Sequence, residues 1–539
     1  MTRGDDTMRR PCAIRGELGI GGAQRLFWCL FLAFVSLHGS GCGTKSELDV
    51  NTGCDADPAQ LDFGTTPIGT PVRRGVTIWN LGDTPLTLQP SSDHAAFTLV
   101  DASAYPLAIE PRGFAEVIVE FDPAEAGDAS GLIALGEMPC GPIACLATGS
   151  PPIRSVLADG SGPYATIQAA INAADAGDIV QLGDGTFTGP GNWDITLQGK
   201  SLTIRSGSGQ RANCRIVGRS GLAGGNHILS ISNGQSQSTT IKDLTIANGH
   251  GSTGGGVAIV DASPRFERVL FDGNIVTGGG GAVHVSGNSA PEFDDCEFFG
   301  NRSGVMDALM GASAAAVDPM SGGAIFVDPL TGADCVVRHS LFRENTNVYS
   351  GSGGAIYGRA RISNCTFEAN ASFPSSGKGG ACFLASGSVS RSLFADNTAG
   401  QQGSALYLAS SSEGVNIVNC TIVANGVTQG SFGAAVYSEW NTSIQNCIVA
   451  FNGPLGIAFG AVSPALLCCD YYGNGDADGG AVMHRIGRDG NFAADPLFSD
   501  RGGGNYHLTA QSPCLPGGHE DCGLIGALGM LESASRRAR

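Results

Sequence analysis

Gly353-Gly354-Ala355-Ile356 and Cys365-Thr366-Phe367-Glu368-Ala369-Asn370 return one repeat later as Gly379-Gly380-Ala381-Cys382 and Phe394-Ala395-Asp396-Asn397. One phrase is small, small, alanine, apolar; the other is an apolar residue, two variable residues and an asparagine. The second recurs as Phe271 with Asn274, Phe298 with Asn301, Phe342 with Asn345, Phe367 with Asn370, Phe394 with Asn397, Ile422 with Asn425 and Val449 with Asn452. Successive asparagines lie 27, 44, 25, 27, 28 and 27 residues apart, and the long interval holds an insertion, about Val305 to Met320, that lacks the phrase. Between them fall Gly280-Gly281-Ala282-Val283, Gly322-Gly323-Ala324-Ile325, Gly433-Ala434-Ala435-Val436 and the looser Gly403-Ser404-Ala405-Leu406.

A fixed period of this size is the mark of a stacked solenoid whose units bury their apolar faces against one another. With 82 glycines in 539 residues, a helical fold is disfavoured, since each glycine inside a helix costs about 1 kcal/mol. The expected class is all-β: a right-handed parallel β-helix over 155–452, final coils and a C-terminal cap over 453–528, and a disordered tail over 529–539. Asparagine tolerates left-handed backbone and can hydrogen-bond the coils above and below, so Asn274, Asn301, Asn345, Asn370, Asn397, Asn425 and Asn452 are expected to form a corner ladder. Glycine pairs supply a second corner. The phenylalanines before the asparagines form an inward apolar column, and Cys296, Cys365, Cys420 and Cys447, each five residues before its asparagine, form another.

Upstream, Ile167, Ala170, Ile171 and Ala174 share one helical face, followed by Asp178-Ile179-Val180-Gln181-Leu182 and Gly183-Asp184-Gly185-Thr186-Phe187. This helix, strand and Gly-Thr-Phe order resembles the N-terminal cap of the pectin-lyase-like superfamily, where a helix covers the open end of the solenoid. The Gly-Gly-Ala-Ile and Phe-x-x-Asn phrases resemble the repeats of bacterial polymorphic outer-membrane proteins. Phe492 to Phe498, Tyr506-His507-Leu508, Ser512-Pro513-Cys514 and Cys522 to Ala527 resemble the closing segment of secreted bacterial β-helix proteins.

Before the solenoid, residues 55–149 alternate short apolar strands with turns about every ten residues, the spacing of an antiparallel sandwich. Leu61-Asp62-Phe63-Gly64, Thr77 to Gly82 and Val119-Glu120-Phe121-Asp122-Pro123 resemble the immunoglobulin-like domains of cilia- and centrosome-associated proteins and of many bacterial surface proteins, which implies a spacer or adhesive module. Residues 42–54 read as a linker. Residues 1–41 read as a secretory leader: five arginines, the last of them Arg25, precede the apolar run Leu26 to Leu37, too short to span a bilayer. Gly39-Ser40-Gly41-Cys42 resembles a lipoprotein processing site, which implies lipidation at Cys42, although the leucine usual three residues before the cysteine is Gly39 here. Among the cysteines, Cys514 and Cys522 flank a Pro/Gly turn and are a candidate pair; Cys140 and Cys145 bracket Gly141-Pro142, and either can instead pair with Cys54.

The net charge of −18 argues against nucleic-acid partners. Related β-helix lyases use calcium-binding carboxylates with a base, and hydrolases use paired carboxylates. Asp294 and Asp295 read as a solvent-facing turn, because strand neighbours face opposite sides. Positions just before the asparagines carry no carboxylate column. Asp470, Asn474, Asp476 and Asp478 offer a calcium-type oxygen set in a Gly-rich loop, with His484, Arg485 and Arg488 nearby; no cofactor is otherwise required. Cys468-Cys469 is more suited to disulfide bonding than to redox work, and His227, His250, His284, His339, His507 and His519 show no metal-ligand spacing. The expectation is an exported, outer-membrane-anchored or extracellular, non-catalytic β-helix that binds a polysaccharide or cell-surface ligand and meets the membrane only through a lipid anchor. The alternatives are a polysaccharide lyase or glycoside hydrolase, and a passive envelope rod.

Overall fold

The computed structural model describes residues 53–137, 139–219, 227–305, 321–349, 351–409, 414–429, 433–475, 482–519 and 522–530. The leader, Cys42, residues 306–320 of the insertion, Asp476, Asp478 and the tail from 531 onward lie outside the described residues.

In the N-terminal part, alternation produces two small sheets. Phe114–Phe121 buries Val117, Val119 and Phe121 while Glu116 and Glu120 face outward. Two four-stranded sheets enclose a core that also holds Leu61, Phe63, Ile78, Phe97 and Ile133. The pairing is not wholly antiparallel, because Ile143–Ser150, a strand the turn-rich Cys140-Gly141-Pro142 stretch conceals in sequence, runs parallel to Gln60–Pro67. Cys145 points into the core and stays free, whereas Cys140 at the edge bridges to Cys54.

The solenoid begins at Ile153–Val156, which pairs in parallel with Ile179–Leu182. Between them the helix Ile167–Ala173 is started by Thr166, whose hydroxyl accepts from the Ala169 amide. Its buried face, Ile167, Ala170 and Ile171, joins the same core as Val156 and Val180 and covers the first coil. Beyond it every pairing in the solenoid is parallel: a 20-stranded sheet carries two strands of each turn, and an 11-stranded back sheet carries the third. Phe271, Phe298, Phe342, Phe367 and Phe394 are directly in register on the back sheet. Their rings stack 4.4–4.7 Å apart inside the solenoid, close to the spacing between hydrogen-bonded strands.

The corner after the back sheet differs from expectation in one respect. The left-handed residue is the one before each asparagine, Gly273, Gly300, Glu344, Ala369, Asp396, Ala424 and Phe451, with φ between 53° and 61°. This frees the asparagine side chain to turn inward. Asn370 Oδ1 accepts from the backbone and side-chain nitrogens of Asn345 at 3.1 and 3.0 Å, and its Nδ2 donates to Phe342 O and to Asn397 Oδ1, both at 2.9 Å. The same pattern runs from Asn274 to Asn452 and continues to Asn474. At the glycine corner the coils nearly touch: a Cβ on Gly354 or Gly380 would lie 2.0 or 2.1 Å from the carbonyl oxygen of the next coil.

The C-terminal segment is not only a lid on the last coil. After Asn491 it turns back and lies on the outer face of the back sheet, with Gly526 N donating to Asn446 O, Ala527 N to Thr421 Oγ1 and Asn419 Nδ2 to Leu524 O. Ile525, Leu508, Phe492 and Cys514 pack on Ile448 and Ala450, and Tyr506 packs on Ala395 and Val423. Cys522 is bonded to Cys468 of the last coils, so the Cys514–Cys522 pairing is corrected: the strap carries Cys522 onto the solenoid, while Cys514 is buried as a free thiol.

Candidate functional site on the charged flank

The second strand of each turn exposes two side chains per coil. In Arg265–Glu267, Glu292–Asp294, Cys335–Arg338 and the end of Ile356–Ser363, the inward residues Phe266, Phe293, Val337 and Ile362 are buried. Alternation sends their neighbours outward in two columns: Arg265, Glu292, Val336, Arg361 and Glu267, Asp294, Arg338, Ser363. Adjacent coils are one strand spacing apart, so opposite charges on neighbouring coils meet.

Glu292 is nearly buried and its carboxylate contacts the Arg338 guanidinium. Asp294 Oδ1 lies 2.9 Å from His339 Nδ1, and its Oδ2 is 3.5 Å from Arg265 and 4.0 Å from Arg338. Arg265 Nε is also 2.8 Å from Glu267. Arg268, at a left-handed corner, holds Asp243 through two bonds of 2.6 and 3.0 Å. Two coils from Glu292, Arg359 and Arg361 lie 3.3 and 2.9 Å from Asp334, which also accepts from Ser386. The result is two clusters on neighbouring coils, together holding five arginines, a histidine and five carboxylates. Their arginine side chains remain part-exposed, from 22% at Arg359 to 68% at Arg361, and a guanidinium is a fork that matches carboxylates and vicinal hydroxyls.

Three carboxylates, Glu267, Glu292 and Asp294, therefore converge with Arg265, Arg338 and His339 on three coils, an arrangement the sequence reading missed. Asp294 is corrected from a turn residue to the centre of this network; Asp295, with φ 54°, is the turn. The readable signal was a second phase of the repeat: Arg265, Glu267, Glu292, Asp294 and Arg338 stand nine or seven positions before a ladder asparagine, and His339 six, not adjacent to it. A divalent cation is poorly served here, because arginines already occupy the charge of each carboxylate, and no grouping of metal-ligating side chains occurs among the described residues.

Of the expected calcium set, Asp470 and Asn474 are engaged elsewhere, and Asp476 and Asp478 lie outside the described residues. Asn474 is the last rung of the ladder: its Oδ1 accepts from Asn452 N and Nδ2, and its Nδ2 donates to Val449 O. Asp470 is fully buried beneath the strap, with Oδ1 accepting from Ala494 N at 3.0 Å and Oδ2 3.3 Å from the Cys514 thiol. Burial pushes its carboxyl up to about 7. Neither side chain faces a loop cavity. His484 and Arg485 belong to a short 3-10 turn, and Arg485 lies 4.0 Å from Asp489.

The inward thiols form a second polar corner. Cys296 N donates to Ser340 Oγ, Cys365 N to Ser392 Oγ, Cys420 N to Cys447 Sγ and Cys469 N to Asn491 Oδ1. Burial pushes the Cys296 and Cys365 thiols up to about 12, the opposite of an activated nucleophile.

A family model described as the right-handed β-helix region matches residues 317–466, and one for the Chlamydia polymorphic membrane protein repeat matches residues 268–290. The solenoid is thus a right-handed parallel β-helix. No curated protein matches the chain. Among solved structures, a protein of unknown function from Porphyromonas gingivalis W83 is similar at 20% identity over 19% of this chain and 50% of its own, with a TM-score of 0.16. The ASH/PapD-like domain 7 of human CEP192 is similar at 18% identity over 21% of this chain and 94% of its own, TM-score 0.15. The PL6 family alginate lyase AlyGC is similar at 14% identity over 67% of this chain and 55% of its own, TM-score 0.30. The chain thus spans about half the length of the first and the last of these. No helix among the described residues is long and apolar enough to cross a membrane.

Proposed function

We propose that the chain is an exported surface protein, lipid-anchored through Cys42, in which an immunoglobulin-like spacer presents a β-helix whose charged flank binds an acidic polysaccharide or cell-surface ligand without cleaving it. The match to a polymorphic membrane protein repeat supports surface display. The observation that carries the binding reading is the flank itself: in a chain of net charge −18, Arg265, Arg268, Arg338, Arg359 and Arg361 gather on neighbouring coils, each ion-paired with a carboxylate. A pre-ordered arginine loses little side-chain freedom on binding a carboxylated sugar. Catalysis is less well supported, because a general acid or base must exchange a proton with substrate, and the carboxylates of the flank are engaged by arginine. The test is binding of the purified ectodomain to polyuronates. An Arg265→Ala/Arg338→Ala variant should bind at least tenfold more weakly, and equal binding by both proteins refutes the flank as the site.

A second reading, a polysaccharide lyase, is favoured by the convergence of Glu267, Glu292 and Asp294 with Arg265, Arg338 and His339. Unsaturated products from a uronate polymer, lost in Arg338→Ala, would establish it over the binding reading.

A further inference from the structure

Higher on the same flank the outward column changes character, with Arg361, Ser388, Asn416, Ser443 and Ala465 in register on successive coils. Charge ends at Arg361. Between the turns of the last coils lies a cleft of about 310 Å³, lined by Val415, Asn416, Asn441, Thr442, Ser443 and Ser463 with Gly414 and Ala465. None of these residues is ionisable. Its amides and hydroxyls both donate and accept, and Asn416 and Asn441 are exposed to solvent. Gln445 Nε2 donates to Ser443 Oγ at 2.8 Å, which fixes that hydroxyl. Immediately before Asn441 stands Trp440, 41% exposed, on a turn held by Ser438 Oγ, which donates to Trp440 O at 2.7 Å. A part-exposed indole one residue from Asn441 of this lining, together with a concave patch of uncharged donors and acceptors, supplies the two elements that a sugar ring requires: an apolar face for its C–H groups and partners for its hydroxyls. Among the described lining residues a carboxylated unit would find no cation, and an apolar ligand would strand the amides unpaired.

We propose that this cleft, with Trp440 at its edge, is a binding site for a neutral pyranose unit, distinct from the charged flank below. The inference deepens the glycan-binding reading and rests on it, but the two sites fail separately. The experiment titrates the full mature chain with cellohexaose and fully N-acetylated chitohexaose, following tryptophan fluorescence and calorimetric heat, with polyuronate binding measured in parallel. Expected is a saturable change with at least one of the neutral hexaoses, abolished in Trp440→Ala and weakened at least fivefold in Asn416→Ala/Ser443→Ala. Arg265→Ala/Arg338→Ala should leave it intact. Asn416 and Trp440 are solvent-facing, so these variants should keep the parent circular dichroism. Absence of binding by both hexaoses, or binding that survives Trp440→Ala, overturns the proposal even where polyuronate binding persists. Loss of polyuronate binding alone overturns the flank and leaves this site standing.

Discussion

Replacing Asn370 by alanine tests the ladder at its centre. The substitution removes four hydrogen bonds: Nδ2 to Phe342 O, Nδ2 to Asn397 Oδ1, and the two that Oδ1 accepts from Asn345. Asn345 is fully buried, so its backbone N–H and one amide hydrogen lose their partner with no water to replace it. Stranding a buried polar group costs about 1–3 kcal/mol, and two donors with one carbonyl bring the expected loss to about 3–9 kcal/mol. Urea unfolding followed by circular dichroism reads this as a lowered midpoint, set against Ser388→Ala, an outward-facing control expected within about 0.5 kcal/mol of the parent. Asn370→Asp separates hydrogen bonding from packing. It keeps the shape and the acceptor but turns the donor to Phe342 O and Asn397 Oδ1 into a second oxygen, so at neutral pH it should be worse than alanine. Asn474→Ala, at the last rung, likewise strands the Asn452 N–H, one Asn452 amide hydrogen and Val449 O in a buried setting and should cost a similar amount. The reasoning is refuted if Asn370→Ala unfolds with the Ser388→Ala control, or if the aspartate variant is no less stable than the alanine variant.

The strap supplies two further predictions and the thiol column a third. Asp470 ordinarily titrates near 4 but is held at about 7 by burial, so the folded state binds its proton more tightly than the unfolded chain. Its stabilising effect is complete below pH 4 and is lost as pH rises to about 7, by up to ~4 kcal/mol; Asp470→Asn should flatten that slope, and parallel melting-temperature profiles for the two proteins would contradict it. Ile525→Asp places a charge between the strap and Ile448, at a position with no exposure, and should cost at least ~3 kcal/mol. Strap release should appear as faster proteolysis after residue 490 and new binding of a hydrophobic dye; unchanged digestion would mean that the strap adds no cover. Cys214, Cys296 and Cys365, pushed up to about 12 by burial, should resist iodoacetamide at pH 8 until the chain is unfolded, and stoichiometric labelling of the native protein would overturn their placement.

The solenoid is legible in the sequence because stacking forces one residue type to recur at one height. A phenylalanine in the back-sheet column must stack on another ring or on an aliphatic of similar bulk, so Phe271 through Phe394 and then Ile422 and Val449 share one spacing. The corner glycines recur for a stricter reason, since the next coil occupies the space a Cβ would need. Outward positions carry no such restraint. Arg265, Glu292, Val336, Arg361 and Ser388 occupy equivalent places and differ in size and charge. A functional column therefore shows no repeat in residue type and becomes visible only when the register is counted back from the asparagines.

The calcium-like loop illustrates the converse. Asp470 and Asn474 look like ligands because oxygen donors in a Gly-rich stretch are what a hard cation selects. Yet Tyr471-Tyr472-Gly473-Asn474 is also an apolar residue, two variable residues and an asparagine, 22 residues after Asn452. Read by the repeat, Asn474 is a rung, and Tyr471 pairs with Val449 in the phenylalanine column. Asp470 is then the outward back-sheet residue, which on a bare coil would be solvated; on this coil the returning strap buries it. The strap too leaves its trace upstream. One outward back-sheet column runs Asp272, Phe299, Arg343 and Glu368 on the middle coils and becomes Ala395, Val423 and Ala450 where Tyr506 and Ile525 lie over the back sheet. An outward column that turns apolar at one end of a solenoid requires a cover, and in this chain the segment beyond Asn491 supplies it.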